Sequence, residues 1–223
     1  MFLDTANYEE IEAALALGIF DGVTTNPTIL LKEHRSRFDM MTLASQMGIP
    51  FLFVQVVGDR MEDMWEDYLL LLEQSDHMHG TSIGVKVPLH HEGIRFIKKV
   101  KQSDPQFPVL GTAIYTAEQA IIGSLAGCHY LSPYVNRMAS NSLNPYVEIK
   151  RMRQFIDNQG LDVQILAASF HESQEVVQAL EAGAHSATIS YQMYQDLINN
   201  KLALLDIHTF NDHARQLPTG ENV

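Results

Sequence analysis

A single cysteine, Cys128, excludes a disulfide within the chain, and a reducing compartment fits it. Long basic runs are missing too, and the formal net charge is −12 with a pI near 5.2. That balance argues against nucleic acid or an anionic membrane surface as partner. No apolar run reaches the length of a membrane span. No basic segment leads into an apolar one at the start, Met1-Phe2-Leu3-Asp4. A cytoplasmic location is therefore expected. No linker or low-complexity stretch interrupts the chain, so residues 1–223 are expected to form one domain. The motif G-x-G-x-x-G does not follow the first strand pattern, which counts against a dinucleotide-binding doubly wound sheet. What is there is ordinary for a globular chain: 223 residues, 46% of them hydrophobic and 19% charged, enough for one large core.

Short apolar runs alternate with stretches of helical period. The strand candidates are Phe2 to Asp4, Gly22 to Thr25, Phe51 to Val56, Ile83 to Pro88, Pro108 to Thr112, Tyr130 to Ser132, Val163 to Ala168 and Ala187 to Ile189. Asn7 with Glu10 resembles a capping box opening the first helix. Further helices are expected over Arg37 to Met47, Met61 to Glu73, a segment built on Ile94, Ile97 and Val100, one capped by Thr116, Tyr146 to Asn158, one capped by Ser173, and Tyr191 to Asn199. Gly18, Gly127 and Gly183 each end a helix shortly before a strand, a weak internal echo. Eight strand–helix units imply parallel pairing and a (β/α)8 TIM barrel, with an open doubly wound sheet as the alternative. An additional C-terminal helix is expected near Leu205 to Gln216, and Pro218 to Val223 reads as a frayed end.

One run stands out. Ile83-Gly84-Val85-Lys86-Val87-Pro88 places a lysine inside a β-branched strand, near its C-terminal end. Alternation puts Val85 and Val87 on one face and Gly84 and Lys86 on the other. An amine there loses hydration, which favours its neutral, nucleophilic form, and Schiff-base formation with a carbonyl is the typical use. The plainer reading is an edge-strand lysine, or one that snorkels to water.

Chemistry in such barrels sits at the C-terminal strand ends. Polar residues recur there: Asp4, Thr24, Thr25, Asn26, Gln55, Thr112, Tyr134 with Arg137, and Ser169. Each has a structural reading as well. Asp4 can cap a helix, Asn26 before Pro27 can form a turn, and Thr112 suits any strand. Together they offer what a Schiff-base amine needs, a proton shuttle and polar groups that position water.

Six segments carry a family resemblance: Leu3-Asp4-Thr5, Gly22-Val23-Thr24-Thr25-Asn26-Pro27, Val85-Lys86-Val87-Pro88, Gly111-Thr112-Ala113-Ile114-Tyr115, Pro133-Tyr134-Val135-Asn136-Arg137 and Leu166-Ala167-Ala168-Ser169-Phe170. In order and across the whole chain, they resemble the small transaldolase family, and within it the fructose-6-phosphate aldolase branch. The resemblance implies a (β/α)8 barrel and a class I mechanism, without metal or other cofactor, that cleaves or transfers a dihydroxyacetone unit. It implies Lys86 as the Schiff-base lysine and Asp4 as acid/base. It places Asn26, Thr25 and Thr112 near substrate or the catalytic water, and Arg137 and Ser169 at the anionic end of the sugar. Gln55 and Tyr134 stand where transaldolases proper usually hold glutamate and phenylalanine, and so mark the aldolase branch.

One position departs from the family. Where arginine or lysine commonly reaches the phosphate, this chain has His171, which is neutral at pH 7. Fructose 6-phosphate is the default substrate, and the singly charged 6-deoxy-6-sulfofructose is the alternative. A sugar-phosphate-binding barrel without turnover is a third reading. His77-Met78-His79 and His90-His91 lack metal-ligand spacing, so no metal is expected. Trp65, Tyr68 and Leu69 with Met61 and Met64 read as a core or interface face. Leu202, Leu204, Leu205, Ile207 and Phe210 are too apolar for a free tail, and in the resembling family such a helix packs on a neighbouring subunit. A homo-oligomer of five or ten is expected, acting on a small sugar and, in transfer, an acceptor aldehyde.

Overall fold

The computed structural model describes residues 1–217. Its eight strands are β1 (Phe2–Asp4), β2 (Gly22–Thr24), β3 (Phe51–Gln55), β4 (Ser82–Pro88), β5 (Val109–Ile114), β6 (Tyr130–Pro133), β7 (Gln164–Ala167) and β8 (Ser186–Ile189). They pair in chain order, all parallel, and β8 closes on β1 through Phe2 opposite Thr188. The result is the expected (β/α)8 barrel. The outer ring contains α1 (Tyr8–Leu15), α3 (Arg37–Met47), α4 (Met61–Ser75), α5 (His91–Ser103), α6 (Ala117–Ala126), α8 (Pro145–Gln159), α9 (Ser173–Glu181) and α10 (Tyr191–Ile198). Two short helices, α2 (Pro27–Lys32) and α7 (Val135–Ser140), follow β2 and β6 directly, and α11 (Lys201–Gln216) lies beyond the barrel.

Most buried apolar residues fill the shell between strands and helices. The barrel interior is separate and layered. Phe2, Phe53, Leu110 and Leu166, from the odd strands β1, β3, β5 and β7, form an apolar floor. Gly84 faces the same interior: a Cβ there would lie 2.6 Å from the Phe53 ring. Strand alternation then sends Thr24, Lys86, Ser132 and Thr188, all from even strands, into the layer above. All four are buried. Asp4, Gln55, Thr112 and Ala168, each two residues beyond a floor residue, line the mouth.

The structure corrects several local expectations. Asn26-Pro27 opens a helix and not merely a turn. The Asn26 side chain accepts the Ile29 N–H at 3.0 Å and Pro27 opens α2, which is the cap-then-proline pattern. Glu10 does not complete a capping box. Its carboxylate takes the Thr5 hydroxyl, whose oxygen accepts the Asn7 N–H, while Asn7 caps α1 alone. Ser173 is the first residue of α9 and Glu172 its cap. Of the aromatic face on α4, Tyr68 and Met64 are buried and Leu69 is exposed. The last helix begins at Lys201, not near Leu205, and buries no residue. Pro218 to Val223 lie outside the described residues.

Candidate active site

The strand ends converge on a cleft of about 240 Å³, lined by Asp4, Asn26, Lys86, Tyr134, Arg137 and Ser169 together with Thr28, Ile29 and Ala168. Six of the eleven candidate residues singled out in the sequence thus share one cavity. A larger apolar groove of about 400 Å³, between α5 and α6, holds none of them.

Lys86 is 2% exposed. Its Nζ donates to the Thr25 carbonyl at 3.3 Å. Thr25 therefore meets the amine through its backbone, while its own hydroxyl is buried without a partner among the described residues. Asp4 ends β1 and accepts the Thr24 hydroxyl at 2.7 Å. Thr112 donates its hydroxyl to the Tyr134 phenol oxygen at 2.9 Å, which leaves the phenol proton free to donate into the cleft. The Tyr134 ring stacks on Arg137, with the guanidinium carbon 5.1 Å from the ring centre. Among the described residues Arg137 forms no ion pair, so its charge is available to a ligand.

Gln55 pairs in register with Lys86 and faces the interior two residues beyond Phe53. Its backbone is anchored from outside. Arg37, paired with Asp67 through two short hydrogen bonds, also donates to the Gln55 carbonyl, and Asp67 accepts the Val57 N–H. Ser169 turns the chain after β7 with φ 63°, the left-handed region that costs a non-glycine residue about 1 kcal/mol. Its carbonyl accepts the Asn136 N–H at 2.7 Å and so joins the β7 and β6 ends.

His171 is not gathered into the cleft. Its ring is exposed, and its backbone N–H donates to Glu175. Glu175 also accepts the Glu172 N–H and the Asn136 side-chain N–H. A carboxylate of the chain therefore occupies the amides at the start of α9, where an anion would otherwise find free donors.

Two features were missed in the sequence. Ser132, buried in the same polar layer as Lys86, has no partner for its hydroxyl among the described residues. The signal was its place two residues before Tyr134 on one strand face. Thr188 meets Thr24 at 2.6 Å and was hidden among strand-forming residues of β8. The histidine pairs His77/His79 and His90/His91 join no cluster of three metal-ligating side chains among the described residues.

The sequence matches the family model described as transaldolase/fructose-6-phosphate aldolase over residues 1–221. Three curated relatives are each described as a probable transaldolase. The protein from Thermoanaerobacter sp. (strain X514) is 31% identical over 96% of both chains. That from Geobacillus sp. (strain WCH70) is 32% identical over 94% of this chain and 95% of its own. That from Herpetosiphon aurantiacus is 29% identical over 100% of this chain and 98% of its own.

Proposed function

The chain belongs to the transaldolase/fructose-6-phosphate aldolase family, and from that premise we propose that it cleaves or transfers a dihydroxyacetone unit through a Schiff base on Lys86. The observation that carries the proposal is one buried amine in a ring of hydroxyl side chains, opening on a cleft that also holds Asp4 and Arg137. Lys86 Nζ adds to the ketone C2 of the donor, and loss of water gives a protonated imine. Asp4 takes the proton of the C4 hydroxyl. The C3–C4 bond breaks, the aldehyde leaves, and the bonding pair moves into the imine as an enamine. Protonation of C3 and hydrolysis then free dihydroxyacetone and the amine. Addition of C3 to a second aldehyde gives transfer instead. Neither path draws on a metal or other cofactor.

Gln55, Thr112 and Tyr134 position the water of the hydrolytic branch, Tyr134 with the phenol proton that Thr112 leaves free. Asn26 contacts the donor, Thr25 holds the Lys86 amine through its carbonyl, and Arg137 with Ser169 takes the anionic end of the donor. Fructose 6-phosphate is the default donor. A specific observation favours a second, 6-deoxy-6-sulfofructose. The distal end offers Arg137, without an ion pair among the described residues, while Glu175 places a carboxylate across the α9 amides and His171 stays outside the cleft. That balance suits a group of one negative charge better than a dianion.

Borohydride reduction in the presence of either ketose tests the chemistry. Lys86 should gain the mass of the reduced donor, and an unmodified lysine with bound sugar would mark a binding barrel instead. Initial rates on both ketoses, with and without an acceptor aldehyde, separate the donors and the two outcomes. We further propose that the protein acts in the cytoplasm and that α11 packs on a neighbouring copy in a pentamer or decamer. The helix exposes Leu202, Leu205, Ile207 and Phe210 and buries nothing within its own chain. A monomeric mass by light scattering would refute the assembly.

A further inference from the structure

We propose that Thr188 is a positioning residue for the reaction, acting on the Asp4 carboxylate through Thr24. The proposal rests on the Schiff-base reading above, in which Asp4 moves the proton. Strand β1 lies between β8 and β2, with Phe2 opposite both Thr188 and Gly22. The hydroxyls of Thr188 and Thr24 meet inside the barrel at 2.6 Å, across β1. Thr24 also reaches Asp4 Oδ1 at 2.7 Å.

The direction of this chain follows from counting protons. An ionised carboxylate only accepts, so Thr24 must give its single hydroxyl hydrogen to Asp4. The Thr24 oxygen is then the acceptor in its contact with Thr188, and Thr188 is the donor. Both threonines are buried, at 0% and 2% exposure, and Thr188 makes no other side-chain hydrogen bond among the described residues. A valine of nearly the same volume would close the β8–β1 seam equally well. The hydroxyl is costly to bury unless it is used, and its use is to hold the Thr24 rotamer and strengthen the donation to Asp4. The hydrogen bond held in this way opposes rotation of the Asp4 carboxylate during proton transfer.

The test compares kcat, KM and borohydride trapping in the wild type and in T188V, T188A and T188S. The two hydroxyl-free variants should lose about five- to tenfold in kcat, the scale of one lost hydrogen bond, with KM within about twofold. Trapping on Lys86 should reach the wild-type extent, because imine formation does not pass through this chain. T188S should restore kcat to within about twofold. T188A carries the test if the valine variant fails to fold. Wild-type turnover in either hydroxyl-free variant would overturn the proposal, and so would a loss that serine does not rescue. If the wild type itself is not trapped, the Schiff-base reading falls and this proposal with it. If the wild type is trapped and T188V turns over normally, only the role of Thr188 falls.

Discussion

Replacing Lys86 with methionine should make the protein more stable while abolishing turnover. Lys86 is 2% exposed, and its amine meets one protein acceptor, the Thr25 carbonyl at 3.3 Å. Among the described residues it forms no salt bridge. Each donor left unmet in a buried place costs about 1–3 kcal/mol, so two of them cost about 2–6 kcal/mol if dry. The cleft above is open to water, which on the order of halves that cost. Methionine keeps the unbranched shape, can lie over Phe53, and forfeits the Thr25 hydrogen bond, worth about 1 kcal/mol. The net gain is roughly 1 kcal/mol, or a rise in Tm of about 2–4 °C at this chain length. Calorimetry gives the Tm, and mass spectrometry after borohydride confirms the loss of trapping. A methionine variant that melts several degrees below the wild type would refute the reasoning. Lys86 would then be a brace between β4 and the β2–α2 turn, and its burial would say nothing about chemistry.

Three further outcomes follow from the same geometry. Tyr134→Phe removes the phenol proton that faces the cleft, so the ratio of transfer to free dihydroxyacetone should rise about three- to tenfold; an unchanged ratio would detach Tyr134 from the water step. His129 and His185 each accept a backbone N–H on Nδ1, from Val109 and Ile165, and burial lowers the proton affinity of both below its ordinary value of 6.5. The unfolded chain therefore binds protons first, so their contribution is complete above pH 6.5 and is lost as pH falls below it. Tm measured from pH 7.5 to 5.5 should fall, and less steeply in the double variant His129→Asn, His185→Asn, whose amide oxygens can replace the acceptors without titrating. Gly93→Ala would place a Cβ 2.1 Å from the Pro88 carbonyl, at the end of the Lys86 strand. A loss of about 3 kcal/mol in urea unfolding is expected, and a silent substitution would mean that α5 is free to move off β4.

The parts of the fold that proved hard to read were short. α2 and α7 span six residues each and carry too few turns for a periodic signal. Yet α2 had a legible start, since Asn26 before Pro27 is a cap followed by a first-turn proline. Tyr134 sits at the start of α7, with the Val135 N–H donated to Ala168. That junction of β6 and β7 joins residues distant in sequence, and no local pattern announces it. Glu175 shows the same limit. Its helical position was readable, but its hold on the α9 amides and on Asn136 came only from packing.

Alternation of apolar strands with helical segments determined a parallel α/β sheet, because period two and period 3.6 are written locally and parallel strands need crossovers, and the pairing of β8 with β1 decided for the barrel over an open sheet. A lysine in an apolar strand, with polar residues at strand ends, determined which side chains could meet. Which of them do meet was decided by closure of the barrel. Pairing β8 with β1 brings Thr188 to Thr24 across 164 residues of chain and sets that pair behind Asp4. Register pairs Gln55 with Lys86 on neighbouring strands, and the packing of the Lys86 side chain against the β2 end has Thr25 serve the amine through its carbonyl and not its hydroxyl. Residue types carry chemistry, but distance and direction between strands remote in sequence exist only once the sheet has closed on itself.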